Sequence, residues 1–314
     1  MPPLRYRMGT REDSPQIVAL MNATFRTPID VATWEWYVYG NPSGPSRVYL
    51  ALEPDQDILR GAVAYSPIAL RIGDKSVRGD YAHHLALNPA YRDTMSYLGF
   101  MNYSLKGQTA AADTALAIGP PNKTAYRVHK TLTRWVDFGH LDCLRKLGPQ
   151  AKPHNCREIK RFTEAFEPFY ARVSKDLKFC VEKTTARVNW RFFDRPGLPY
   201  TVYATGSAEE LTGYVVLKRW REPDGYSKAH ILDIHALDSD ALSQLIAAAE
   251  CYADGSDELN LWAACGYPYR PALEAMGFVP GFRQPLLLRP YNGAPPAYPD
   301  GSCSLSYGDG DTQY

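Results

Sequence analysis

Residues 32–65 of this 314-residue chain are echoed, in order, by residues 186–217. Trp36 is followed by Pro42, Val48 and Tyr49 at intervals of 6, 12 and 13 residues, and Trp190 by Pro196, Val202 and Tyr203 at the same intervals. A Gly-x-Val follows in each copy, at Gly61–Val63 and Gly213–Val215. The repeat, about 150 residues long, exceeds any solenoid unit, whose period runs roughly 20–50 residues. The spacing predicts one domain duplicated, with function in each half or in the seam between them.

Length permits two cores, since single domains typically span ~100–200 residues. Lys+Arg 35 against Asp+Glu 34 leaves a net charge of +1, which argues against a nucleic-acid binder that must neutralise phosphates. The local basic cluster Arg157, Lys160, Arg161 reads as a solvated face near a domain junction. No apolar run reaches the ~20 residues of a membrane span, and Met1–Gly9 carries no signal-peptide core. The cysteines, Cys143, Cys156, Cys180, Cys251, Cys265 and Cys303, form no C-x-x-C pair. Reduced thiols in a cytoplasmic protein are therefore expected, without a disulfide framework. No histidine pair has metal-ligand spacing, so no metal and no permanently bound cofactor is expected.

In the first half the periodicity predicts a strand at Leu4–Met8 and a helix carrying Ile17, Leu20, Met21 and Phe25 on one face. A second helix at Val31–Tyr39 precedes strands at Val48–Leu52, Ile58–Leu70 and Ser76–Leu87. Then come a helix at Thr94–Ala111, a strand at Thr114–Ile118, a helix at Lys123–Leu132 and a strand at Val136–Leu144. The second half repeats the order. Helical candidates Phe162–Lys175 and Thr184–Phe193 precede strands at Tyr200–Ala204, Leu211–Arg219 and Ala229–Leu237. Asp240–Tyr252 is the clearest helix, with Leu242, Leu245, Ile246 and Ala249 on one stripe. A strand at Glu258–Ala263, a helix at Tyr269–Met276 and a strand at Phe282–Leu288 close the copy. Gly, Pro and Lys break both periodicities at Gly148–His154, where the boundary is expected. The stretch from Pro290 is rich in Gly, Pro and Asp, with room for one edge strand at Cys303–Tyr307 and a flexible acidic end.

Pro120-Pro121-Asn122-Lys123, followed by Leu132–Trp135, resembles the end of a GCN5-related N-acetyltransferase (GNAT) domain. There an Asn closes the fifth strand and the next helix ends in a Leu-Gly-aromatic signature. Met276-Gly277-Phe278 stands in the same place in the second half. The Trp-x(5)-Pro element and the closing Gly308-Asp309-Gly310-Asp311 resemble tandem GNAT-like proteins. The resemblance spans residues 4–290 in architecture and specific residues near 36–63, 120–135 and 202–278. It implies an α/β (α+β) fold of two GNAT-like domains, each a mixed, mostly antiparallel sheet flanked by helices. Residues 1–148 would bind the acyl donor, 155–290 would be a degenerate copy shaping the acceptor site, and 291–314 would form a tail.

The departure from the family pattern bears on the donor. GNAT domains cradle the coenzyme A pyrophosphate on an Arg/Gln-x-x-Gly-x-Gly/Ala loop at a helix N-terminus, where small residues let backbone N–H groups approach. Here the loop reads Arg92-Asp93-Thr94-Met95-Ser96-Tyr97, so Arg92 and Ser96 are its donor-binding candidates but both small positions are lost. The second half has Asp238-Ser239-Asp240-Ala241, whose carboxylates would repel phosphate. A donor borne on an acyl carrier protein, with one phosphate and no adenosine diphosphate, makes weaker demands on this loop than acyl-CoA. The resemblance implies that the donor arm pairs like an extra strand with His84, Leu85, Ala86 and Leu87, with Asn122 opposite.

Acyl transfer needs a base for the amine, a polarised carbonyl and a proton for the leaving thiolate. Asp80, His83 and His84 lie on the donor-side strand. Strand alternation would let only one histidine face the cleft, His83 with Leu85 and Leu87 or His84 with Ala82 and Ala86. Either would suit a general base near neutral pH, and the plain alternative is a satisfied histidine at a domain seam. The family's leaving-group acid is a Tyr on the helix after the fifth strand. His129 lies nearest that position and Tyr126 one turn earlier, with packing against the sheet as the alternative for Tyr126. In the second half Asp233 and His235 make a polar face that predicts a wet cavity, or else a structural pair. Asp309 and Asp311 would recognise a cationic acceptor amine, unless they belong to a frayed tail.

These readings predict an N-acyltransferase moving an acyl group, conceivably fatty, from a CoA or carrier-protein thioester to a primary amine of a small molecule or peptide. Two rivals remain open: a non-catalytic tandem GNAT-like peptide- or metabolite-binding protein, and a Fem-like aminoacyl-tRNA-dependent transferase.

Overall fold

The structure is a computed structural model that describes residues 4–25, 27–54, 56–111 and 113–310. The chain forms two compact units: Met1–Leu70, Ser76–Phe138 and Pro285–Ala297 in the first, and Arg71–Lys75, Gly139–Gln284 and Tyr298–Tyr314 in the second.

The first unit contains β1 (Arg5–Met8), α1 (Ser14–Thr24), α2 (Val31–Tyr39), β2 (Arg47–Leu52), β3 (Leu59–Ile72), β4 (Lys75–Leu87), α3 (Thr94–Ala110), β5 (Leu116–Gly119) and α4 (Lys123–Leu132). After α4 comes β6 (Val136–Leu147). Asp30 caps α2 by accepting from Thr33 N at 2.7 Å, and Asn122 caps α4 by accepting from Ala125 N at 2.9 Å, which is why each helix begins where it does. Strands β1 to β4 pair in order, and β5 joins β4 in parallel. Apolar side chains on one face of this sheet pack on α1 and α2 (Ile17, Met21, Trp34, Val38, Ala86) and on the other face on α3 (Tyr65, Leu87, Phe100, Leu105).

The second unit contains β7 (Arg157–Glu158), α5 (Phe166–Val173), β8 (Leu177–Val181), α6 (Thr185–Phe192), β9 (Thr201–Gly206), β10 (Leu211–Arg221) and β11 (Ser227–Ala236). It continues through α7 (Ser239–Tyr252), β12 (Glu258–Ala264), α8 (Arg270–Ala275), the start of β13 (Val279–Pro290), whose residues from Pro285 belong to the first unit, and β14 (Ser302–Ser304). Its strands run β6-β12-β11-β10-β9-β7, again with one parallel pair, β11 and β12, preceding and following the long helix. Leu242, Leu245 and Ile246 of α7 pack on Val215, Leu217 and Ile231.

The duplicated glycines are explained by these helices. A Cβ on Gly61 would stand 2.9 Å from Leu87 and 3.3 Å from Phe100 of α3. On Gly213 it would stand 2.8 Å from Leu245 of α7 and 3.0 Å from the His235 carbonyl. In the first copy the helix after β4, and in the second the helix after β11, lies against that glycine.

Two expectations are corrected. The boundary expected at Gly148–His154 falls earlier, because Leu141–Leu147 of β6 pair with Ala264–Glu258 of β12. Reciprocally, Leu287–Pro290 at the end of β13 pair with Gly119–Leu116 of β5 in the first unit. Each copy therefore gives its last strand to the other copy's sheet. Residues 302–309 are also more regular than their composition suggests. Ser302–Ser304 pairs in parallel with β8, and Tyr307–Asp309 is a buried single turn.

Candidate functional site

In the first unit the parallel pairing of β4 and β5 stops at Tyr81 and Ile118. An added Cβ on Gly119 would lie 3.1 Å from the Ala82 carbonyl, so the strands are still close there. Beyond it β5 turns into α4, while β4 runs on to Leu87.

His84 sits in that run with φ +53, a left-handed backbone that costs a β-carbon residue roughly 1–2 kcal/mol. The kink shifts the side-chain alternation. His83 and His84 both lie on the α2 side, their rings 4.8 Å apart and each edge-on to Tyr37. Ala82, Leu85 and Leu87 pack with the α3 side. The expectation that only one histidine could face a given side thus fails, because strand alternation holds only where φ stays extended. His83 is buried, with Nε2 at 2.7 Å from Ser66 Oγ, which in turn lies 2.6 Å from Ser46 Oγ. Its Nδ1 meets His84 Nδ1 at 2.5 Å. Burial, then the charge of His84, holds His83 well below the usual imidazole value. A hydrogen-bonded row Ser46–Ser66–His83–His84 thus runs from the core to a half-buried ring beside Trp34. Ser46, Ser66 and Tyr37 carried no sequence signal, since β2, β3 and α2 bring them to β4 from distant positions.

At the α3 N-terminus the chain's own carboxylate occupies the donors. Asp93 accepts from Met95 N and from Ser96 N, both at 3.0 Å. These bonds hold its carboxyl below the usual range. Arg92 turns back, donating Nε to the Leu87 carbonyl at 2.8 Å. The backbone of Ser96 is therefore committed locally, and a second anion here would meet the Asp93 charge.

In the second unit the corresponding pairing of β11 and β12 stops at Ile231 and Leu261. The turn Tyr307–Asp309 fills the place beyond. The Tyr307 ring lies 4.4 Å from Trp262 of β12, and a Cβ on Gly308 would be 3.1 Å from the Leu232 carbonyl of β11. Arg191 secures this turn by donating Nε to the Gly308 carbonyl at 2.9 Å. Asp238 caps α7 through Ala241 N at 2.8 Å, as Asp93 caps α3.

Solved structures with this arrangement are numerous. A GCN5-related N-acetyltransferase from Anabaena variabilis superposes with a TM-score of 0.69 at 14% identity, covering 92% of this chain and 73% of that one. The N-myristoyltransferase of Saccharomyces cerevisiae, with bound myristoyl-CoA, superposes with a TM-score of 0.69 at 11% identity, covering 92% of this chain and 79% of that one. No protein-family model matches the sequence, and no curated protein matches it significantly. The chain has the tandem GNAT fold.

Within that GNAT fold several expected site residues have other employment. Asp80 is fully buried, ion-paired with Arg47 at 3.3 Å and accepting from the Tyr291 hydroxyl at 2.9 Å. Burial raises its carboxyl against the pull of Arg47. It secures the sheet and does not face a substrate amine. His129 packs under α4, 3.2 Å from the Tyr97 hydroxyl and with its ring 5.3 Å from Trp135, and burial lowers its pKa to about 4. It is therefore neutral at pH 7 and unsuited to protonating a thiolate. Tyr126 is half-buried and donates to Asp137 at 2.8 Å, close to the Lys130 ammonium. Asn122 serves as the α4 cap described above.

In the second GNAT unit Asp233 and His235 take part in a buried cluster, as the structural alternative had it. Both are buried around Lys183, whose ammonium donates to the two Asp233 oxygens at 2.7 Å and lies 3.4 Å from His235 Nε2. Tyr214 also donates to Asp233, at 2.6 Å. Asp309 is neither frayed nor available to an acceptor. It accepts from Ser306 N at 2.9 Å and pairs with Lys183 at 3.4 Å. Burial lowers the His235 pKa to about 3. Asp311 lies outside the described residues. Lys183 was invisible in the sequence because its partners lie far along the chain.

Proposed function

We propose that the first unit transfers an acyl group from a thioester to a primary amine of a small molecule or peptide. The observation that supports this most is the asymmetry of the two copies: the β4–β5 pairing ends at Tyr81 and Ile118 while β4 runs on to Leu87, whereas beyond the β11–β12 pairing Tyr307 and Gly308 pack against Trp262 and Leu232. The second unit is then a non-catalytic copy. The donor's amide arm would pair with the β4 edge at His84–Leu87, like an added strand.

His84 would take the amine proton as the amine attacks the carbonyl; the C–N bond forms, the C–S bond breaks, and the thiolate leaves. The row through His83 and Ser66 to Ser46 would orient the ring. Tyr126 would protonate the thiolate and recover a proton through Lys130. Because Asp93 already occupies the α3 N-terminus, recognition would lean on the arm and acyl chain more than on a pyrophosphate, which favours a carrier-protein donor over acyl-CoA. The same capped helix also supports a second reading, a non-catalytic binding protein.

The test is product formation, followed by mass spectrometry, with acyl-CoA, acyl-phosphopantetheine and acyl carrier protein against a panel of amines. His84→Ala should lower kcat by roughly 10²–10⁴-fold, and Tyr126→Phe by less. Saturable thioester binding with no turnover would favour the binding protein. Full activity in His84→Ala would remove that residue from the chemistry.

A further inference from the structure

The first unit has a second feature, unrelated to the acyl-transfer reading. The C-terminal halves of α3 and α4 and the end of β13 surround a recess of about 590 Å³, bordered by Asn102, Lys106, Thr133, Arg134 and Arg289. From Ser96 to Lys106 is ten residues of helix, or about 15 Å at 1.5 Å per residue, so the recess is separate from the α3 N-terminus.

Its charge is one-sided. Among the described residues no carboxylate is ion-paired with Lys106, Arg134 or Arg289. Arg289 Nε is buried without a hydrogen-bond partner, an arrangement that costs a charged group its solvation without return. Burial lowers the Arg289 pKa, and the Arg134 charge lowers it further, so the two guanidinium groups repel each other. Arg134 moreover holds φ +56, a conformation suited to Gly or Asn.

Helix capping does not account for these cations. The α4 carbonyl at His129 already accepts from Thr133 N, Trp135 N and the Thr133 hydroxyl, at 3.2, 3.3 and 3.1 Å. At the end of α3, Gly107 and Gln108 carbonyls accept from Ala111 N, each at 3.2 Å. Two guanidinium groups and an ammonium without counter-ions, one donor buried and unused, are what a bound dianion would satisfy; a monocarboxylate would neutralise only one of them.

We propose that this recess binds a phosphate-bearing small molecule, its phosphate held between Arg134 and Arg289 with Lys106 at the rim. The volume admits a phosphate together with a small organic group. The test is isothermal titration of the full chain with inorganic phosphate at low salt, with acetate as the carboxylate control. Saturable phosphate binding near one per chain is expected, with acetate at least tenfold weaker. Arg289→Met and Arg134→Asn should each weaken phosphate by about tenfold or more. Both variants should be at least as heat-stable as the parent in phosphate-free buffer, since one removes an unpaired buried donor and the other relieves a left-handed backbone. Absence of saturable binding, equal binding of acetate, or phosphate affinity unchanged in both variants would overturn the assignment. Lower stability of both variants with phosphate binding intact would mark the arginines as structural and likewise overturn it.

Discussion

The Lys183 cluster offers the most quantitative test of the second unit. Replacing Lys183 with Met keeps the volume of the side chain and removes its ammonium. Lys183 is 6% exposed, Asp233 1% and Asp309 4%, so Lys183→Met leaves two buried carboxylates facing each other without a cation. Breaking a buried pair by removing one partner typically costs about 3–5 kcal/mol. With an urea m-value of about 3 kcal/mol/M, that is a fall in midpoint of roughly 1–1.7 M. The pH dependence checks the cause. In the parent chain Lys183 keeps the Asp233 pKa below its ordinary value despite burial. A depressed carboxylate contributes stability above its unfolded pKa and loses it as pH falls through the folded pKa. Without Lys183, burial and Asp309 would push the Asp233 pKa upward, so the variant would gain relative to the parent on acidification from pH 8 to pH 5. Adding Asp309→Asn to Lys183→Met should recover part of the loss. Urea unfolding followed by fluorescence at the two pH values measures all three. A midpoint shift below about 0.3 M, or a penalty independent of pH, would refute the electrostatic account.

Gly213→Ala should destabilise by about 1–3 kcal/mol, and more than Gly61→Ala, because one of its close neighbours is the His235 backbone carbonyl, which cannot turn aside; equal urea midpoints would contradict this. His129 and His230 have pKa values of about 4 and His235 about 3, all lowered first by burial. The unfolded chain therefore takes up protons first, and stability should fall as pH drops from about 6.5 towards 4; His129→Gln should flatten that slope in melting scans. Asp93→Asn keeps an acceptor for Met95 N and Ser96 N but removes the charge at the α3 N-terminus. Its melting temperature should hardly move while the KM for an acyl-CoA falls severalfold; an unchanged KM would detach that helix end from donor choice.

Much of the architecture was legible in the order of residues. Most strands and helices of each copy follow from periodicity, but β7 and β8, too short to show one, did not, and the caps Asp30, Asn122 and Asp238 became visible only in the structure. The site was legible only in outline. His83 and His84 were found on β4, but the row through Ser66 and Ser46 was not, because those serines come from other strands. Asp80 and Asp233 drew notice on their strands, His129 by its spacing from Asn122 and Asp309 in the acidic end, and each proved to be satisfied by a partner distant in sequence.

Duplication, element type and the glycines beneath α3 and α7 are properties of local pattern, and the sequence alone determined them. Tertiary structure decided the exchange of β6 and β13, the left-handed turn at His84, and the seating of Tyr307 between β11 and β12. Each of these depends on which distant segments meet. A residue's pattern records its own preference for burial or helix, but not the partner that will satisfy it.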